Sequence, residues 1–406
     1  MTRKFLLSFA IALLILTTAA ANGFQTQPRA TAAPISIPFE LITRHMVLKV
    51  RINNSRPLSF VLDTGDRVGI VDIDVAKELG LKLEGQVQIG GAGSETLLGS
   101  VVQEANWSLP GLEGFSQPIR LAIPLARLKS RFGHDFDGII GAEFIRQFVI
   151  EVDYPARVIR LHDKDQFRYA GAGESVPMQM NQQGHPIIDA EVTPIGSEPI
   201  KGKFVLDLGS GGALVLHTPF VSEHGLLNPG LKTIRAIGVG GAGGQTSARL
   251  GRVAELKIGK FKIANPVTAF SEDKAGALAD TVLAGNIGQQ IASRFRVFLD
   301  YSHDRIIFEP SATFNEPFDR AQSGMALTAE GPDYTVFRVT DVLENSPAAE
   351  AGLQKNDVII KVNDRPAAEL TITKLGEMFE RPAAYKMTIR RGEQTLQVTL
   401  TPRKLV

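Results

Sequence analysis

One pattern of landmarks occurs twice in this chain of 406 residues, and it limits the possible folds more than any other feature. Aligned on the letters FVLD, the first copy runs from Asp63 through a glycine-rich stretch, IGGAG, to GIIG at 138–141. The second copy runs from Asp207 through GVGGAGG to GNIG at 285–288. The landmarks keep their order and nearly their spacing, so we predict two lobes that fold alike.

Each copy is composed of short segments such as VLKVRI, SFVLD and RVIRL, which are rich in β-branched residues and bounded by Gly, Pro, Asn or Asp. Such segments are typical of strands and hairpins. Helical patterns are short, and residues 71–81 and 217–227 predict one helix after each Asp loop. We therefore predict a mostly β protein with lobes at 34–165 and 166–312.

The repeat ends near residue 310, and a polar, Pro-containing connector follows. Residues 320–406 then combine strand patterns with the Ala-rich segment SPAAEAGL and an amphipathic helical pattern over 370–380. They predict a separate α+β domain. Two or three domains also suit the length of the chain, which is too great for a single core.

Composition excludes several classes of function. Lys plus Arg number 44 against 43 Asp plus Glu, and a net charge of +1 gives no electrostatic footprint for nucleic acid. There is no cysteine, so the chain has no disulfide, no thiolate nucleophile and no Cys zinc site. The histidines lack metal-ligand spacing, so we expect neither a metal nor another cofactor.

The N-terminus has the order of a secretory signal. Arg3 and Lys4 precede an apolar run from Phe5, and small residues close it at Ala19–Ala21. We expect a signal peptide at 1–21, export to the periplasm or the medium, and no membrane span after its removal. The alternative is an uncleaved anchor, because the run is at the lower limit for crossing a bilayer.

Asp63 and Asp207 each end an apolar strand pattern. Asp-Thr-Gly and Asp-Leu-Gly can be simple turns. Two equivalent lobes can, however, bring both carboxyls together across a pseudo-twofold axis. Carboxyls in contact cannot both ionise, so such a pair holds one proton and can act as base and acid together. That arrangement hydrolyses amides with an activated water.

The duplicated Asp-Thr-Gly pattern, together with GIIG and GNIG, resembles the bacterial aspartyl protease family, of the pepsin and retropepsin type, over about residues 35–310. The resemblance implies two aspartic-protease-like β-barrel lobes in one chain, a polypeptide substrate and a monomer whose lobes pair. It makes Asp63 and Asp207 catalytic. By the same resemblance, the loops are supported by Thr64, Gly65, Gly209 and Ser210, and the flaps have their tips at Gly90, Gly91, Gly93, Gly240 and Gly241.

Two positions depart from that family. Leu208 replaces a hydroxyl residue that braces the opposite loop, and Asp66 stands where a small residue is expected. If Asp66 points inward, its charge would disfavour ionisation of the pair and raise the working pH. The competing interpretation is therefore a catalytically silent envelope protein that holds peptides in the same cleft and in the groove of the C-terminal domain described below.

A serine protease is a second alternative, because GSGG at 209–212 is similar to a serine-nucleophile loop. Gly209 stands directly before Ser210, where that loop has Asp or Asn. The histidines at 134, 162 and 185 are scattered, and no triad can be assembled from the sequence. We interpret them as surface or structural residues.

The C-terminal segment SPAAEAGL, followed by KNDVIIKVND, resembles the bacterial form of the PDZ domain. The resemblance implies that a peptide C-terminus binds as an added strand, with its carboxylate at Gly324, Met325, Ala326 and Leu327. Asn356 and Asp364 replace family glycines, and both residue types tolerate a positive φ. Helical spacing leaves Leu375 and Phe379 as either core or groove residues.

Overall fold

The two FVLD segments end equivalent strands in the structure, which is a computed structural model describing residues 33–238, 240–318 and 321–406. The predicted signal peptide at 1–21 lies outside these ranges. Residues 33–406 form one unit. Across the described ranges, no helix is long and apolar enough to cross a bilayer.

The first lobe is mostly β. Its strands are β1 (Ile35–Pro38), β2 (Glu40–Ile42), β3 (His45–Ile52), β4 (Leu58–Leu62), β5 (Ile70–Asp72), β6 (Lys82–Ile89), β7 (Leu97–Gln103), β8 (Asn106–Ser108), β9 (Gln117–Pro118), β10 (Leu121–Ile123), β11 (Gly138–Ile140), β12 (Val149–Asp153) and β13 (Val158–His162). Its helices are α1 (Ile73–Glu78), α2 (Ala126–Phe132) and α3 (Ala142–Ile145).

The second lobe repeats this order. Its strands are β14 (Glu174–Met180), β15 (Pro186–Thr193), β16 (Ile200–Leu206), β17 (Leu214–Leu216), β18 (Ile234–Arg235), β19 (Gly240–Gly241), β20 (Gly244–Gln245), β21 (Ala248–Arg252), β22 (Glu255–Ile258), β23 (Phe261–Ala264), β24 (Val267–Ser271), β25 (Gly285–Ile287), β26 (Phe295–Asp300) and β27 (Arg305–Pro310). Its helices are α4 (Thr218–Glu223), α5 (Gln289–Ala292) and the 3₁₀ turns Ala277–Ala279 and Tyr301–His303.

The C-terminal domain follows. It contains β28 (Met325–Glu330), β29 (Val336–Val342), β30 (Val358–Val362), β31 (Arg365–Pro366), β32 (Tyr385–Arg391), β33 (Gln394–Leu400), α6 (Pro347–Glu350), α7 (Ile372–Phe379) and the 3₁₀ turn Ala367–Glu369.

The two lobes share one strand topology around their Asp residues. β4 pairs in parallel with β11, with Phe60 opposite Gly138, and β16 pairs in parallel with β25, with Phe204 opposite Gly285. All five residues of β4 are buried, which explains its unbroken apolar sequence. Burial of each such large side chain contributes roughly 1.5–3 kcal/mol. Each Asp therefore starts the loop that leaves a rigid, buried strand.

A continuous sheet joins the lobes. Strands β1, β13, β12, β26, β27 and β14 run side by side, and β12 of the first lobe pairs with β26 of the second. The register places Ile150 opposite Leu299. This sheet fixes the lobes against each other, because backbone hydrogen bonds and a shared core cross the boundary between them.

The helices after the Asp loops are shorter than the sequence predicts. The patterns at 71–81 and 217–227 become α1 (Ile73–Glu78) and α4 (Thr218–Glu223). Gly80 and Gly225 adopt φ values of 65° and 57°, respectively, which end helices.

The C-terminal domain has its own core, and Leu375 and Phe379 are both buried in it. This settles their role as core residues.

Two turns of this domain are expected to have a positive φ at Asn356 and Asp364. Asn356 adopts a φ of 74°, as expected, but the expectation for Asp364 is wrong. The preceding residue, Asn363, takes the positive φ of 53° instead, because Asn tolerates the left-handed region well.

Candidate active site

Asp63 and Asp207 meet between the lobes. A Cβ atom built on Gly65 would lie 3.0 Å from Oδ1 of Asp63 and 3.1 Å from Oδ1 of Asp207. A Cβ built on Gly209 would overlap the Asp63 carboxyl. Gly209 is therefore required for two adjacent carboxyls, and a side chain at Gly65 would crowd both of them.

Each loop holds its own carboxyl by the same backbone bond. The Gly65 N–H donates to Oδ1 of Asp63 at 2.7 Å, and the Gly209 N–H donates to Oδ1 of Asp207 at 3.0 Å. Each Asp N–H donates to the crossing strand behind it, at Ile140 O and Ile287 O respectively. Both Asp residues are half-buried, so part of each stays accessible while these backbone bonds hold it in place.

Thr64 braces the two loops from one side. Its hydroxyl donates to Leu206 O at 2.6 Å and accepts from the Leu208 N–H at 2.8 Å. Leu208 returns no such bond, because its hydrocarbon side chain has no donor or acceptor, and it is fully buried in the core instead. Gln289 supports the second loop instead by donating to Leu208 O at 2.6 Å, and its own carbonyl accepts from the Tyr154 hydroxyl.

Ser210 contributes through its backbone. Its N–H donates to Asp207 O at 3.2 Å, and its carbonyl accepts from the Gln289 N–H at 2.8 Å. These bonds join the second Asp loop to the first turn of α5.

Burial raises the pKa of Asp63 well above its usual value, and the charges of Asp66 and Asp207 raise it further. Burial also raises the pKa of Asp207, although a hydrogen bond from Asn286 opposes this. Burial and the charge of Asp207 raise the pKa of Asp66 to about 7. Three carboxyls thus share one site, and together they retain protons at a higher pH than isolated carboxyls would.

Asn286 and His217 are site residues that the sequence analysis missed. The Asn286 amide donates to Oδ2 of Asp207 at 2.8 Å, and its carbonyl lies 2.9 Å from Nε2 of the buried His217. The available signal was the difference between GNIG and GIIG, which places an amide in an otherwise apolar strand.

The predicted flap tips contact each other. β6 and β7 form the first hairpin, with Gly90, Gly91 and Gly93 at its tip, while Gly240 and Gly241 form β19 of the second. The Glu95 N–H donates to Gly243 O at 2.8 Å. A Cβ on Gly93 would overlap that same carbonyl, so glycine permits the close approach.

Helix α2 connects both flaps to the second Asp loop. Arg127 pairs with Glu95 of the first flap at 2.7 Å, and Arg131 donates to Gly238 O and Gly240 O of the second. Phe132 stacks on His45, whose Nε2 donates to Gly209 O at 3.1 Å. Burial lowers the pKa of His45 to about 4, so this histidine is neutral and donates through Nε2–H.

The predicted peptide-binding residues of the C-terminal domain open β28. Gly324 has a φ of 77°, and Met325 to Leu327 begin the strand, with a bulge after Ala326. β28 pairs with β29 and ends the sheet. Its other edge faces the lobes, since the Ser130 hydroxyl of α2 donates to Ala329 O at 2.8 Å.

Helix α7 and the residue after it also contact the first lobe. The Thr43 N–H donates to Thr373 Oγ1 of α7 at 3.2 Å, and Arg44 pairs with Glu380. Across the described ranges, no cluster of three or more His, Asp or Glu side chains is placed to hold a metal ion.

Comparison with known proteins identifies both regions. Residues 48–144 match the family model described as aspartyl protease, and residues 338–391 match the PDZ domain model. The chain contains an aspartyl protease domain and a C-terminal PDZ domain. The first match spans most of lobe 1, including Asp63, the first flap and GIIG.

The curated relatives are similar over short stretches. Serine protease HTRA1 of Xenopus laevis is 28% identical over 67 residues, which cover 16% of this chain and 14% of that protein. Serine protease HTRA3 of Mus musculus is 32% identical over 80 residues, which cover 19% and 17%. The chain thus matches less than a fifth of the length of either relative.

A solved structure gives a further match. The HtrA3 PDZ domain bound to a phage-derived ligand (FGRWV) is 25% identical, with a TM-score of 0.19, and the match covers 21% of this chain and 86% of that chain.

The names of these relatives raise the question of a serine triad beside the aspartyl protease domain. Among the hydrogen bonds of the described residues, a Ser hydroxyl meets a His ring only at Ser302 and His303, 3.2 Å apart. Asp300 contacts the same ring nitrogen, Nδ1, at 2.8 Å. A proton relay needs separate nitrogens for Ser and Asp, so this cluster cannot act as a triad.

Proposed function

We propose that this protein is an aspartic endopeptidase in which Asp63 and Asp207 activate a water molecule. The observation that carries the proposal is the approach of both carboxyls to one point beside Gly65. Further support comes from the shared backbone support of the two loops and from the aspartyl protease match over residues 48–144.

The proposed reaction needs one proton on the pair. The ionised carboxylate takes a proton from water as the water oxygen bonds to the peptide carbon. The protonated carboxyl gives its proton to the carbonyl oxygen, which yields a tetrahedral diol. When the C–N bond breaks, the first carboxyl delivers its proton to the amine nitrogen and the second recovers its own. The elevated pKa of the half-buried Asp63 keeps this singly protonated state populated.

The PDZ domain in this proposal binds peptide ends. β28 ends its sheet, and a peptide can add to such an edge with its carboxylate at Gly324–Leu327. The domain would then present or retain polypeptides for the cleft.

The proposal also places the protein outside the cytoplasm, on the basis of the signal pattern at 1–21 and the absence of cysteine.

A peptide-binding protein without catalysis is the second candidate. Two observations favour it: Leu208 offers no hydroxyl to the opposite loop, and Asp66 adds a third carboxyl to the site. Such a protein would hold peptides in the cleft and in the PDZ groove without hydrolysing them.

The deciding experiment follows cleavage of an unfolded protein from acid to neutral pH by the chain from residue 22 onward. Asp63→Asn and Asp207→Asn are compared with the parent, and Asp364→Asn is the matched control because that side chain is fully exposed in a distant turn. We expect the parent and the control to cleave and both site variants to be inactive. Activity that survives both site substitutions but is lost in Ser210→Ala would favour a serine mechanism. No cleavage by the parent at any pH would favour the binding protein.

A further inference from the structure

The crossing strands of the two lobes differ at one position beside the Asp pair. Ile139 of β11 lies opposite Val61, and Asn286 of β25 lies opposite Val205. The strands have the same register in both lobes, so Ile139 and Asn286 are equivalent residues. Ile139 belongs to an apolar cluster and offers no polar atom, whereas Asn286 donates to Oδ2 of Asp207 at 2.8 Å.

His217 fixes which way the Asn286 amide points. The Asn286 carbonyl lies 2.9 Å from Nε2 of His217, so that nitrogen carries the hydrogen. Rotating the amide by half a turn would place its oxygen against the Asp207 carboxylate and would move the ring hydrogen to Nδ1 of His217, a buried atom with no hydrogen-bond partner among the described residues. The hydrogen bonds therefore run in one direction, from His217 to Asn286 to Asp207.

His217 stands at a helix N-cap position but does not cap its helix. Its counterpart in lobe 1 is Asp72, because each precedes the helix after its Asp loop and each N–H donates to the residue before the crossing strand. Asp72 caps α1 by accepting from the N–H groups of Asp74 and Val75. His217 occupies the same cap position on α4 without a side-chain cap bond. Both departures from lobe symmetry thus serve Asp207.

The other groups near the pair act on both Asp residues or in the same direction as Asn286: the charge of Asp66 raises the pKa of Asp63, and a charged His185 would lower the pKa of Asp207. Gly65 and Gly209 donate equivalent bonds to their own Asp residues. Asp66 disfavours a negative charge on its neighbours. His185 lies near Asp207, but burial lowers its pKa, which favours the neutral ring. Asp280 acts on both His185 and His217 and would raise their pKa values.

We propose that Asn286, oriented by His217, is a positioning residue that directs the shared proton to Asp63 and leaves Asp207 as the base. This inference rests on the proposed function. In the hydrolysis, Asp207 takes the proton from the attacking water, and Asp63 gives its proton to the carbonyl oxygen. When the C–N bond breaks, Asp207 delivers its proton to the amine, and Asp63 recovers its own from the diol.

The test is a pH titration of the ¹³C-labelled Asp carboxyls by NMR, with signals assigned through Asp63→Asn and Asp207→Asn. In the parent, Asp207 should lose its proton at a lower pH than Asp63. Asn286→Ile, which copies lobe 1, should raise the titration midpoint of Asp207 by about 1 pH unit or more. Asn286→Thr, which keeps a donor, should raise the titration midpoint of Asp207 by less than Asn286→Ile does. His217→Phe should produce a smaller shift in the same direction as Asn286→Ile.

Kinetics give the second measurement. We expect Asn286→Ile to lower kcat roughly tenfold or more, with KM little changed and the acid limb of the pH profile moved upward. The inference is overturned if Asp63 titrates first in the parent, or if neither Asn286→Ile nor Asn286→Thr changes the titration of Asp207. The titration does not require cleavage, so it decides the inference even if the parent proves inactive. Should Asn286→Ile fail to fold, Asn286→Thr and His217→Phe carry the test.

Discussion

Two glycines decide whether the Asp pair can exist. Gly209 has no room for a side chain because the Asp63 carboxyl occupies the position where a Cβ would lie. Gly65 faces both carboxyls at contact distance. The backbone of each loop therefore does two things: it donates a hydrogen bond to its own carboxyl and leaves space for the other.

Gly209→Ala tests this packing directly. The added methyl group must displace Asp63 or shift the loop, so we expect cleavage to fall at least a hundredfold and stability to drop by roughly 1–3 kcal/mol. Gly230→Ala is the matched control, because its Cβ would contact only Asn228 Oδ1 at 3.4 Å. Parent-like activity in Gly209→Ala would contradict the close approach of the loops.

Asp66 should make stability depend on pH. Its pKa is raised to about 7 in the folded chain, above the value near 4 of an unfolded Asp. Between these values the folded state binds more protons than the unfolded state, so this contribution to stability falls as pH rises from 4 to 7.

Asp66→Asn removes that dependence. We expect the variant to gain roughly 1–3 kcal/mol over the parent at pH 8 and little at pH 4, measured by urea unfolding at each pH. Its cleavage optimum should also move to lower pH, because one charge that raises the pKa of Asp63 is gone. A stability difference that is the same at both pH values would contradict an Asp66 that keeps its proton in the folded chain up to about pH 7.

At the scale of elements, α2 is where flap, loop and PDZ contacts converge. Its arginines hold the two flaps, Phe132 stacks on the histidine that supports the second Asp loop, and Ser130 bonds to β28. Seven residues thus connect four parts of the chain.

Arg131→Ala should loosen the second flap. The guanidinium donates to two backbone carbonyls at 238 and 240, and both would lose their donor. We expect faster amide hydrogen exchange in β18–β21 and a higher KM with little change in kcat. Arg127→Ala is the comparison: its exposed pair with Glu95 should contribute under about 1 kcal/mol and change exchange less. Equal effects of the two variants would argue against the role of Arg131.

At the scale of the whole molecule, the edge of β28 is already in contact with the protease lobes. Ser130 bonds to Ala329, and a Cβ on Gly238 would touch Ala326. A peptide that adds to this edge must displace those contacts, so peptide binding should be weaker than the groove alone allows.

Ser130→Ala should strengthen peptide binding. In an Asp63→Asn background, which prevents cleavage, we expect the variant to bind a fluorescent peptide with an apolar C-terminus roughly two- to tenfold more tightly, by polarisation. Ser222→Ala, an exposed position on α4, is the control. Equal affinities in all three proteins would contradict competition at the β28 edge.

The Asp pair could be predicted from the sequence, because an internal repeat with the same landmarks predicts two equivalent lobes. Equivalent lobes can place their Asp residues side by side. The sequence does not reveal Asn286 or His217, since a single amide in a short strand has no periodic signal and gains meaning only from strand register. The support of Leu208 by Gln289 and the contact of α2 with β28 are also missed. Each joins residues far apart in sequence, and no local pattern specifies such contacts.

The most direct test of the central claim compares the cleavage rates of the parent, Asp63→Asn, Asp207→Asn and an equal mixture of the two variants. A dyad within one chain predicts that each variant and the mixture lose at least about a thousandfold in kcat/KM. Parent-like cleavage by either variant, or activity restored by mixing, would contradict an aspartic dyad formed by the two lobes of one chain.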